Sequence, residues 1–171
     1  MTTRFGNRTA GVTSPAASQK GRFAGVNPAG SRFPQMPFDF SGTIELIETR
    51  RAITKGDTFI ADLKVLESDV DFVRPGEQFA WVQAMTDKWN TGAGKVMNFV
   101  IALGNLDDDE VAELIREAEQ GVSILDAACG VAVEKYGENP LKGSSCRVRV
   151  TKGAEDNSGG NWRDCAFSPV E

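Results

Sequence analysis

The chain has no histidine. Histidine is the side chain that most often serves as a general base or metal ligand near neutral pH, so serine triads, cysteine–histidine pairs and HExxH zinc sites are all excluded. Neither a GxxxxGK[ST] phosphate loop nor a GxGxxG turn opening a helix after a strand is present. No apolar run is long enough to span a bilayer, and the residues that follow Arg4 and Arg8 are small and polar rather than a signal core, so a soluble protein without a secretion signal is expected. The cysteines are few and odd in number, Cys129, Cys146 and Cys165, with no paired spacing. They read as buried thiols of a reducing compartment rather than as a disulfide framework or zinc knuckle. No catalytic group, metal ion or cofactor is expected, and the chain reads as non-enzymatic.

Acidic residues are missing from positions 1–38, where five basic ones stand: Arg4, Arg8, Lys20, Arg22 and Arg32. Taking these five from the 19 basic residues of the chain leaves 14 against 24 acids, a formal charge of −10 beyond residue 38. The same stretch is rich in Gly, Ser, Thr, Ala and Pro and lacks any helical or strand period, so it cannot bury enough apolar surface to offset its ordering entropy. It reads as a flexible arm over 1–38, followed by one domain over 39–171. Arg-Phe pairs recur in the arm, at Arg4-Phe5, Arg22-Phe23 and Arg32-Phe33. Arginine neutralises phosphate and both side chains stack on bases, which suits single-stranded nucleic acid. A solvated tail, or an arm tying subunits together, is the plainer alternative. Deletion of 1–38 is expected to leave the domain folded.

What remains is periodic. Residues 41–51 mix β-branched and polar side chains and reach a turn at Lys55-Gly56-Asp57. In 58–67 Phe59, Ala61, Leu63 and Val65 alternate with polar residues, and after the Pro75-Gly76 turn comes a third strand with Phe79 and Trp81 on one face. Helical spacing follows at Val96, Phe99, Val100 and Leu103, closed by Gly104. A second helix starts at the capping acids Asp107 to Asp109. A third opens with Ser123 and Asp126 as a capping box and carries a stripe through Ala132, Val133 and Tyr136. Cys146, Val148 and Val150 then alternate with Arg147, Arg149 and Thr151 in a fourth strand, and 162–167 supplies a fifth. Three strands, helices and two strands is the order of an OB-fold, a five-stranded Greek-key barrel. The expectation is therefore a mostly β, OB-fold-like barrel with an enlarged helical insertion between strands three and four.

In this order the sequence resembles bacteriophage single-stranded DNA-binding proteins with an OB-fold. The resemblance rests on Arg50 and Arg51 before Lys55-Gly56-Asp57-Thr58-Phe59, on Val65-Leu66-Glu67-Ser68, and on Pro75-Gly76 followed by Trp81. Lys95-Val96-Met97-Asn98-Phe99 and Asn139-Pro140-Leu141-Lys142-Gly143 complete it. It covers roughly 38–167 and implies strand coating in phage replication or recombination, in the cytoplasm of an infected bacterium. Single-stranded DNA is the expected partner, with replication or recombination proteins and a homo-oligomer as further possibilities, and no membrane.

OB-fold ligands lie across strands two and three and between the loops joining strands one to two and four to five. That places Arg50, Arg51 and Lys55 on one side of the groove and Lys152, Trp162 and Arg163 on the other. Phe59 and Lys64 come from strand two, Lys88 and Trp89 from the polar loop after strand three, and Arg147 and Arg149 from strand four. Cations track phosphates and aromatics stack bases without reading sequence. Each isolated cation is more often an ordinary solvated residue, and the cluster outweighs its members. The competing expectation is a structural or assembly protein of a phage particle or complex, whose arm grips a neighbouring subunit.

Overall fold

The computed structural model describes residues 33–53, 56–85, 91–137, 139–155 and 159–171. The strands are β1 (Ser41–Ala52), β2 (Thr58–Ser68), β3 (Gln78–Ala84), β4 (Ser145–Glu155) and β5 (Asn161–Ser168). Three helices lie between β3 and β4: α1 (Thr91–Gly104), α2 (Asp108–Glu119) and α3 (Ile124–Ala128). All neighbouring strands are antiparallel, in the order β3-β2-β1-β4-β5.

Alternation decides which residues form the core. Phe59, Ala61, Leu63 and Val65 of β2 face inward with Ile44 and Leu46 of β1, Phe79 and Trp81 of β3, and Cys146, Val148 and Val150 of β4. α1 lays its predicted stripe, Val96, Phe99, Val100 and Leu103, against them. The Phe99 ring lies 5.0 Å from Trp81 and 4.7 Å from Phe167 of β5, so an aromatic cluster joins the two outer strands through the helix. At Gly42 the backbone of β2 comes so close that a Cβ would stand 2.2 Å from the Glu67 carbonyl oxygen.

The sheet is not closed into a barrel. β3 and β5 are its edges, and no hydrogen-bonded ladder joins them among the described residues. Side chains and a strap hold these edges together instead. The Trp81 and Phe167 rings meet at 4.7 Å. The strap, residues 34–40, takes a hydrogen bond from Ala80 N–H of β3 on the Pro34 carbonyl. It takes another from Val150 N–H of β4 on the Phe40 carbonyl. Arg163 of β5 donates to the Met36 carbonyl between them.

This corrects the boundary drawn at residue 38. Met36 is only 1% exposed and belongs to the core, so the end of the expected arm is part of the body. Composition hid this because Phe33, Met36 and Phe38, interrupted by Pro34 and Pro37, keep neither a helical nor a strand period. Residues 1–32, with the pairs Arg4-Phe5 and Arg22-Phe23 and with Arg32 of the third, lie outside the described residues.

The third helix is also shorter than its apolar stripe predicts. It ends at Ala128 because Gly130 takes a positive φ of 85°. Gly130 N–H then bonds the Ala127 carbonyl and Val131 N–H the Asp126 carbonyl, a Schellman closure. Val133 is buried from an irregular segment that bridges to Gly137. The expected Ser123–Asp126 capping box forms, and the expected cap at Asp107 closes into a second box with Glu110. α1 closes one residue later than expected, through Asn105 at φ 48°.

Candidate nucleic-acid interface

The β1–β2 end does not present the cationic cluster expected of it. Successive strand residues point to opposite faces, so Arg50 and Arg51 part company. Arg50 donates at 2.6 Å to Asp62, a carboxylate 1% exposed on the side of β2 away from the core. Arg51 forks onto Asp57 at 2.6 and 2.5 Å. That bidentate hydrogen bond holds the Asp57 carboxyl below its usual range and raises Arg51. Lys55 lies outside the described residues, as do Lys88 and Trp89.

Phe59 is a correction. It is fully buried, with its ring 5.9 Å from Trp81 and 6.1 Å from Phe99, so it packs the core and offers nothing to a ligand. Its place in the run with Ala61, Leu63 and Val65 carried that signal. Lys64 stands on the opposite face of β2 and is exposed, between Glu45 and Gln78 in the sheet register.

At the other end Arg163 faces the strap. It donates to the Met36 carbonyl at 2.6 Å and to Gln35 Oε1 at 2.7 Å, and its guanidinium lies 4.4 Å over the Phe38 ring. Burial pulls its pKa down. Arg163 is thus a structural tie. Lys152, opposite Arg163 in the register, is exposed with its Nζ 5.9 Å from the same ring.

The other face of the β4–β5 pair is more open. Trp162 is 65% exposed on the same alternation as Asp164, Ala166 and Ser168. Beside that row run Arg147, Arg149 and Thr151 of β4, with Arg149 opposite Ala166 and Thr151 opposite Asp164. A groove of about 600 Å³ lies here, lined by Ser41, Asp69, Arg147, Arg149, Thr151 and Ser168 among others. Two guanidiniums and three hydroxyls can all donate to phosphate oxygens. Arg147 is paired with Asp69. Arg149 is exposed and forms no ion pair among the described residues.

The structure therefore brings Arg147, Arg149 and Trp162 onto one face, leaves Lys152 exposed on the opposite face near Phe38, and withdraws Arg50, Arg51, Phe59 and Arg163 to other partners. Sequence reasoning missed Asp69, Ser41, Thr151 and Ser168. The alternation of β4 and β5 could have found Thr151 and Ser168, but nothing local marks Asp69, which meets Arg147 from 78 residues away. The described residues hold no cluster of His, Cys, Asp or Glu fit for a metal ion, and no described helix is long and apolar enough to cross a membrane.

Fold and surface together define a mostly β protein with an open five-stranded antiparallel sheet and, on its β4–β5 side, a groove lined by two arginines, hydroxyls and the acids Asp39 and Asp69. No protein-family model and no curated protein matches the chain.

Proposed function

We propose that the chain is a non-enzymatic single-stranded DNA-binding protein of the phage type, an OB-like sheet opened between β3 and β5. It coats strands during replication or recombination in the cytoplasm of an infected bacterium, alongside proteins of those processes. The observation that carries this reading is the exposed Trp162 on the same face as Arg149, beside a groove rich in hydrogen-bond donors. Trp162 stands beyond the Thr151–Asp164 pair from Arg149, and an aromatic platform on the face of a phosphate-tracking cation suits sequence-tolerant strand binding. The strand order supports it, because β3-β2-β1-β4-β5 with helices after β3 is an OB arrangement interrupted at one seam. The DNA path then runs along β4 and β5 rather than across β2 and β3.

Titration of a fluorescent oligo-dT at two salt concentrations tests the proposal. Contact with about three phosphates predicts a loss of roughly twentyfold in affinity between about 50 and 200 mM salt. Duplex of the same length should bind more weakly, because its bases are not free to stack. Salt-insensitive or absent binding rejects the reading.

The pairing of Arg50, Arg51 and Arg147 with acids of the same chain favours a second reading, an assembly protein whose basic N-terminal stretch grips a neighbouring acidic body. A change of oligomeric mass by light scattering on removal of residues 1–32, with no oligonucleotide binding before or after, would select it.

A further inference from the structure

We infer that Asp69 occupies a phosphate position in the β4–β5 groove and sets the affinity of that groove for a strand, an inference that rests on the DNA-binding reading above. A single carboxylate oxygen of Asp69, Oδ2, accepts from the Arg147 guanidinium and, at 3.1 Å, from Ser41 Oγ. Guanidinium plus hydroxyl converging on one anionic oxygen is the donor set that a phosphate oxygen takes. Asp69 can hold this position because its own N–H bonds the Ser41 carbonyl at 2.9 Å, which anchors the turn after β2 over the start of β1.

All three side chains line the groove, and two residues further along β4 Arg149 has no such carboxylate on it among the described residues. The groove thus offers one open guanidinium and one already satisfied. A strand docking on Arg149 reaches Arg147 only by displacing Asp69. Both members of the Arg147–Asp69 pair are over two-fifths exposed, so water is at hand to solvate the released carboxylate. Ion pairs of that exposure are weak, which makes the exchange reversible. The carboxylate also repels phosphate while it stays. Asp69 therefore weakens binding in the native protein and keeps Arg147 from contacts with unsuitable anions.

The test compares the full-length protein with Asp69→Asn, Arg147→Gln and the double variant, titrating fluorescent oligo-dT at low and moderate salt. Asp69→Asn should bind about two- to fivefold tighter, the range set by an exposed ion pair, and its log–log salt slope should steepen by about 0.7, one more phosphate. In the Arg147→Gln background the same change should do much less. Asp69→Ala, which removes the carboxylate and leaves both of its donors, Arg147 and Ser41, in the groove, should move affinity the same way, and serves if Asp69→Asn proves unstable in a thermal melt. If wild type binds with a salt-dependent slope and neither Asp69→Asn nor Asp69→Ala tightens it, this inference falls and the DNA-binding reading stands. If neither wild type nor Asp69→Asn binds, both fall.

Discussion

The guanidinium of Arg163 lies 4.4 Å from the centre of the Phe38 ring while donating at 2.6 Å to the Met36 carbonyl oxygen, which fixes the strap to β5. Replacing Arg163 by Ala should cost about 1.5–3 kcal/mol of stability, the range for a hydrogen bond to a charged group. Urea unfolding measures this. An unchanged midpoint together with weakened oligonucleotide binding would return Arg163 to the DNA surface.

Met36 carries the strap into the core. Met36→Ala should destabilise by about 2–5 kcal/mol, as large-to-small core changes do. Thermal melts of this variant beside a deletion of residues 1–32 separate the strap from what precedes it. The deletion should melt near the wild-type temperature, whereas a deletion reaching residue 38 should not.

Trp162 makes the opposite prediction. Its exposed ring should contribute about 1–3 kcal/mol to binding through base stacking, so Trp162→Ala should weaken oligo-dT by roughly five- to a hundredfold. Its melting temperature should barely move, since surface substitutions stay within about 0.5 kcal/mol. Tryptophan fluorescence quenched on addition of oligo-dT in wild type, and less so in the variant, is the expected signature.

Acid should loosen two ends of the molecule. Asp57, held low first by its hydrogen bond to Arg51, and Glu117, held low first by Lys135 and then by the Tyr136 hydroxyl, are both easier to ionise in the folded state. A lowered folded pKa contributes stability above the unfolded value of about 4, and that contribution is lost as pH falls through the folded value. Melting temperature should therefore drop on acidification, and the combined variant Asp57→Asn, Glu117→Gln should show a shallower drop. A parallel profile would mean that neither pair is populated in solution.

The cysteines give a fourth kind of readout. Burial pushes Cys146 and Cys165 up to about 12 and Cys129 to about 11. Reaction requires thiolate, so a thiol reagent near pH 8 should modify none of them quickly in the folded protein and all three after denaturation. Rapid labelling of one thiol would mean that its element opens locally.

Local periodicity explains what was legible. Strand residues such as Phe59 to Val65 and Cys146 to Val150 declare a half-buried pleat within a few positions, and the Pro75-Gly76 turn, with Gly76 at φ 91°, marks where it folds back. The helical stripe of α1 was equally plain. The stripe of α3 misled beyond Ala128, because a glycine closure outweighed the apolar spacing that continued past it. At the candidate site the failures came from pairing at a distance. That Arg50 and Arg51 diverge follows from alternation alone. That Asp62, Asp57 and Asp69 claim Arg50, Arg51 and Arg147 depends on which strands lie side by side. Lone cations therefore looked available to a ligand when the fold had already given them acids.

The bond from Arg163 to Gln35 joins positions 128 apart in the chain. During synthesis residue 35 leaves the ribosome long before residue 163, so the hairpin of β1 and β2 can form while Pro34 to Phe38 still has no β5 to fasten to. Contacts of such separation must wait for loop closure, which makes them late steps in folding. The strap can reach β3 through the Ala80–Pro34 bond before β5 exists, so its fastening to β5, and with it the seam between β3 and β5, is the part of this protein that is sealed last.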